Sequence, residues 1–114
     1  MDWTSGEVTI LLPEGGEPKV RGFIHREVAI AEHEGNWLVL HRRSGLIFER
    51  FATKGLALDL GVRLTRYVSQ SLKRLPKAWA EGLWERIEEI RAEAARENGL
   101  PPPPRLRSVP PTQS

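Results

Sequence analysis

Between Phe51 and Thr53 the apolar residues change period, and no single element of secondary structure can carry both patterns. Before that point apolar side chains recur every second residue, the spacing of a strand with one buried face. After it they recur three and four apart, the spacing of a helix. The chain is therefore expected to be α+β, with strands first and helices second.

The strand half reads as a small antiparallel β-meander of three or four strands. Residues 8–12 (VTILL) form a short strand closed by Pro13, and PEGGEP at 13–18 is a loop. Residues 19–31 read as one alternating strand, with Val20, Ile24, Val28 and Ile30 on one face. Gly22 within it marks a bulge or a close approach of other atoms. Taking Glu34-Gly35 as a two-residue turn pairs Trp37 with Glu32, Val39 with Ile30 and His41 with Val28. Taking Ser44-Gly45 as the next turn sets Val39 opposite Arg50 and His41 opposite Phe48. One face then holds Val20, Ile24, Val28, Ile30, Trp37, Val39 and Phe48. The other holds Arg21, Phe23, His25, Leu38, Leu40, Arg42 and Phe51, too apolar to lie against water, so a helix or a second subunit is expected to cover it.

Two amphipathic helices follow. Thr53 is the expected N-cap of the first, and Leu56, Leu60, Leu64, Tyr67, Val68, Ser71, Leu72 and Leu75 form its inward stripe. Gly61 suggests a second backbone packed close. Pro76 suits the first turn of the second helix, whose stripe is Trp79, Leu83, Ile87, Ile90 and Ala94. Trp84 widens that face and argues for contact with a second chain. Asn98-Gly99 is a stop signal. Residues 1–99 thus make one domain, and residues 100–114 a proline-rich tail expected to be extended or disordered.

Composition narrows the chemistry. The 114 residues include no cysteine, which excludes disulfide frameworks, thiolate catalysis and cysteine metal sites. No stretch matches a signal peptide or a membrane span, so a cytoplasmic location away from membranes is expected. The motifs G-x-S-x-G, G-x-x-x-x-G-K-[ST] and G-x-G-x-x-G are absent, and the reading is of a non-enzymatic protein without a cofactor. His25, His33 and His41 lie eight apart, but the expected register puts His25 and His41 on opposite sheet faces, so no metal site is expected. Thirteen of 17 basic residues are Arg, compatible with a thermophile.

Charge is unevenly placed. Residues 1–41 carry a net −4, residues 42–77 +7 and residues 78–97 −3. No acidic side chain falls between Asp59 and Glu81, so Arg63, Arg66, Gln70, Lys73, Arg74 and Lys77 form a stripe opposite the leucines. Arg42, Arg43, Arg50 and Lys54 extend it from the hairpin. Guanidinium and ammonium groups so arrayed suit phosphates, and Phe23 and Phe51 are candidates for base stacking. A nucleic-acid-binding homodimer is one expectation. The other is a regulator or inhibitor docking on an acidic protein partner, or a stripe neutralised by Glu81, Glu85, Glu88, Glu89, Glu93 and Glu97 across an antiparallel helix pair.

The stretch WLVLHRRSGLIFERFATK followed by LALDL resembles the sheet-plus-helix DNA-binding modules of the AP2 and phage-integrase arm type. The matching residues are Trp37, the Ser44-Gly45 turn, Phe51, Thr53, Lys54 and Ala57. The resemblance implies sheet side chains reading a major groove, here Arg42 and Arg50. The helix is longer than in those modules and a second one follows. A sheet backed by a long helix is also similar to single-strand-binding folds of the PC4 or Whirly kind.

Overall fold

A computed structural model describes residues 2–68 and 70–106. The strand half holds five strands, not three or four: β1 (Thr4–Thr9), β2 (Lys19–His25), β3 (Val28–His33), β4 (Asn36–His41) and β5 (Ile47–Phe51). They form one antiparallel sheet in chain order. Helix α1 (Lys54–Val68) and helix α2 (Glu81–Glu97) follow, joined through short 3₁₀ turns at Ser71–Lys73 and Pro76–Ala78.

The extra strand comes from dividing residues 19–31. A tight turn at Arg26-Glu27 pairs His25 with Val28, and Arg26 takes a φ of 57°. Side chains rarely adopt that left-handed conformation, and neither glycine nor proline announces it. The division reverses the expected facing. Val20 and Ile24 lie on the opposite face from Val28 and Ile30, whereas Phe23 and His25 share the face of Val28 and Ile30. The next hairpin is as expected: Glu34 and Gly35 both have positive φ, and Trp37, Val39 and His41 pair with Glu32, Ile30 and Val28. The last one is not. Residues 42–45 form a four-residue loop, and a bulge at Phe48 sets Val39 opposite Glu49 and Leu40 opposite Ile47. The extra residue puts Phe48 in the core beneath the helices.

No second subunit is needed to cover the inner apolar face, because the sheet curls upon itself. Just beyond β1, the Leu11 N–H donates to the Gly45 carbonyl at 3.0 Å. The two ends of the meander thereby meet, enclosing Val8, Ile10, Ala29, Ala31, Leu38 and Leu40 with Val20, Ile24 and Ile47 around them. Gly45, at φ 79°, admits this closure: a Cβ there would stand 2.7 Å from the Thr9 carbonyl oxygen. The outer face, with Val28, Ile30, Val39 and Phe48, packs on Ala57, Leu60, Leu64, Ile87, Ile90 and Ala94 of the helices. β3 and β4 are thus buried on both faces.

Thr53 caps α1 as expected, its Oγ1 accepting from the Leu56 N–H at 3.3 Å. The α-helix stops at Val68 rather than running to Leu75, so Tyr67 and Leu75 are exposed. Pro76 opens a 3₁₀ turn, not α2. Gly61 gives room to a side chain rather than a backbone, since a Cβ there would lie 3.1 Å from the Trp3 ring. Trp84 rests beside Trp79, ring centres 5.0 Å apart. At the C-terminal end of α2 the Leu100 N–H donates to the Ala95 carbonyl, with Gly99 at φ 68°. The following prolines lie in order beside β5 and α2, and Leu106 packs on the core, its N–H donating to Glu88. The remainder of the expected tail, residues 107–114, lies outside the described residues.

The connection between the helices is held by His41. Its Nε2–H donates to the Leu72 carbonyl, and its Nδ1 accepts from Ser44 at 2.8 Å. The edge of its ring meets Trp79, centroids 5.0 Å apart. Burial lowers its pKa below 6.5, against the Leu72 hydrogen bond and the Glu27 carboxylate that favour the cation. His25 and His41 share the outer face after all, but His25 is engaged with the Asp2 carbonyl and Trp3. Among the described residues no cluster of acidic or histidine side chains is placed to hold a metal ion.

Two measurements check this packing. A Cβ on Gly22 would stand 2.5 Å from the Ile30 carbonyl oxygen, so Gly22→Ala should destabilise the fold by roughly 1–3 kcal/mol in urea titration. The His41 contribution should be complete above pH 6.5 and decline below it, where the unfolded chain takes a proton that the folded chain excludes. The decline for one group is at most about 1.4 kcal/mol per pH unit. Stability measured from pH 7 to pH 5 should fall more steeply in the parent protein than in His41→Gln.

Candidate nucleic-acid interface

The basic side chains of residues 42–77 do not form one continuous stripe. Termination of α1 at Val68 breaks their helical alignment, and Arg50, opposite Leu38, lies at the other end of the β4–β5 pair from Arg42 and Arg43 in the loop. Lys54 sits at the N-terminal end of α1, while Lys73, Arg74 and Lys77 follow its C-terminal end, about 20 Å away at 1.5 Å per helical residue.

Several predicted phosphate contacts have partners within the fold. Arg63 is held by the carboxylates of Asp59 at 3.0 Å, Glu97 at 2.8 Å and Glu93 at 3.7 Å. The hydrogen bond that Arg63 donates to Glu97 leads the effects that raise the Arg63 pKa, and Arg63 in turn holds the Glu97 carboxyl below its usual range. This is the antiparallel helix pairing expected of the acidic second helix, carried here by Glu93 and Glu97. Glu89 turns to Arg86, and Glu88 with Glu49 neutralises Arg91, a buried guanidinium at 2.6 Å from each. Arg43 binds Glu27 through Nε at 2.8 Å. Lys54 lies over the Phe23 ring, 4.1 Å from its centroid, and 5.8 Å from that of Trp37.

The cations without an ion pair among the described residues are Arg42, Arg50, Lys54, Arg66, Lys73, Arg74 and Lys77 from the predicted set, and Lys19, Arg21, Arg26, Arg96 and Arg105 beyond it. Arg50 is apart, beside the proline segment. Arg26 and Lys73 come together, with Arg42 beside Arg26. The Arg42 guanidinium donates to the Arg26 carbonyl at 3.3 Å, and Arg26, Glu27, Gln70 and Lys73 line a depression of about 410 Å³. Arg74 follows Lys73 in the chain and lines a neighbouring hollow with Gln70 and Lys73. The only carboxylate lining the depression, Glu27, is buried and bound by Arg43. Arg26 had no sequence signal, because it follows β2 only once residues 19–31 are divided.

The depression is lined by two separate segments, the β2–β3 turn and the connection after α1, and the β4–β5 loop touches the first of these through Arg42 and Arg43. His41 ties that loop to the connection, bonding both Ser44 and Leu72. An oxyanion there would meet guanidinium and ammonium donors from two sides. Phe23 and Phe51 are both half-buried on the outer face, Phe51 opposite Trp37 and Phe23 beneath Lys54.

Arg63→Ala should lower the urea midpoint of unfolding while leaving affinity for oligonucleotides unchanged, because this guanidinium faces α2. A loss of oligonucleotide binding without loss of stability would contradict that placement.

Among the described residues, no helix is long and apolar enough to cross a membrane. Comparison with protein-family models, with curated proteins and with solved structures finds no match for this chain.

Proposed function

We propose that this protein binds nucleic acid through the phosphate backbone, without catalysis, at the cationic depression between Arg26, Arg42 and Lys73. The single observation that carries the reading is the convergence of the unpaired Arg26 and Lys73 from two segments, with Arg42 beside Arg26, around a carboxylate already neutralised by Arg43. Arg74 and Lys77 extend the positive surface along the connection. Guanidinium groups pair with phosphate through two parallel hydrogen bonds, and each neutralised phosphate releases counterions into solution. Affinity is then steeply dependent on salt and tolerant of sequence.

A second reading has its own observation. Tyr67 and Leu75 are 55% and 47% exposed on either side of the helix connection, with Trp84 half-buried nearby. Apolar surface bordered by Arg66, Arg74 and Lys77 suits an acidic protein partner, or a second copy of this chain in a homodimer. The two readings differ in what saturates the cations.

The test is anisotropy of labelled oligonucleotides titrated from low to physiological salt. Under the first reading, Arg26→Ala/Arg42→Ala/Lys73→Ala should weaken binding and flatten the slope of log affinity against log salt by about 2–3 units, at 0.7–0.9 per phosphate lost. Equal affinity and slope in parent and triple variant would reject it. Binding of no oligonucleotide even at low salt would favour the protein partner.

A further inference from the structure

Beside α1, on the flank facing β2, half-buried rings and cations form a sequence that the phosphate depression alone does not explain. At one end Lys54 caps Phe23, with Trp37 next to it. Further along α1, Trp3 lies against Gly61 and is tilted at 52° to His25, the centroids 5.6 Å apart. Phe23 and His25 project from the same face of β2, two residues apart, and Arg26 follows directly in the turn that lines the phosphate depression. Rings therefore lie between a cation at one end and a cluster of cations at the other.

From this arrangement we infer that the flank is a stacking track for single-stranded nucleic acid, leading away from the phosphate depression towards Lys54. The inference rests on the proposed phosphate binding and specifies its ligand. Duplex DNA keeps its bases paired and stacked within, so ring faces on a protein flank add nothing to its binding. A single strand presents bases that stack on aromatic side chains whatever their identity. Lys54 is exposed, and an exposed cation–π contact is weaker than one base–aromatic stack. Its ammonium exchanges the Phe23 ring for a phosphate, and the uncovered ring takes a base. Glycine at position 61 fits this reading: it gives room to the edge of the Trp3 ring, which stays half-buried beside His25.

The experiment compares three probes on the intact chain: a short oligothymidylate, a hairpin duplex and inorganic polyphosphate, which has charge but no bases. Phe23→Leu keeps an apolar side chain beneath Lys54 and removes the ring; Phe23→Trp keeps a ring. The parent should bind oligothymidylate more tightly than the duplex. Phe23→Leu should lose about tenfold on oligothymidylate, about 1.4 kcal/mol, and nothing on polyphosphate, while Phe23→Trp should restore the loss. Unchanged oligothymidylate affinity in Phe23→Leu, with polyphosphate still bound, would overturn the track and leave the phosphate site standing. Failure of the parent to bind either polyphosphate or oligothymidylate would overturn both.

Discussion

The contact on which the rest of the molecule depends is the meeting of the segment after β1 with the β4–β5 loop. One hydrogen bond, from Leu11 to Gly45, marks it, but its consequence is geometric. By bringing the two ends of a five-stranded meander together it gives the sheet an inside and an outside. The inside is narrow, which is why Gly22, Ala29 and Ala31 stand where larger side chains would collide. The outside is left free to receive both helices. Burial of a full-sized aliphatic side chain contributes about 1.5–3 kcal/mol, and the curl lets β3 and β4 bury such side chains on both faces.

That geometry also explains how function is distributed. A flat sheet with a helix across it would have carried its cations as one stripe. Curling and the early end of α1 separate them into Lys54 at one pole, an ion cluster around Arg63 at the seam with α2, and a cationic depression at the other pole. Partnership decides their roles. Arg63 and Arg91 join α2 to its neighbours by satisfying carboxylates, whereas Arg26, Arg42 and Lys73 remain available.

Much of the fold was legible because local rules sufficed. The change of period at Phe51–Thr53, the Glu34-Gly35 turn and its register, the Thr53 cap, the stripe of α2 and the Asn98-Gly99 stop each depend on neighbours in sequence. What escaped depends on distant residues or on backbone states without a marker. Arg26 accepts a positive φ in a turn that contains no glycine, so one strand was read where there are two and the faces were exchanged. Phe48 is the extra residue of a bulge that follows a four-residue loop, not a two-residue turn, and no local marker announces it. The helical periodicity of residues 69–75 continues in sequence, yet Leu72 leaves the helix to meet His41, 31 positions away. The candidate site was legible as an excess of positive charge in residues 42–77. Which cations are free was not, since this depends on how α2 lies against α1 and on Arg26 arriving from outside that region.

The ordered prolines after α2 have a consequence for solubility. A five-stranded meander that only nears closure leaves two outer strands, and an outer strand with open amides and carbonyls is a template for another chain. Pro101, Pro103 and Pro104 lie beside β5, and proline has no N–H to donate. The segment can therefore cover that border without becoming a sixth strand, and it offers no ladder on which a seventh could grow. Three prolines that could not continue α2 thus also border the sheet.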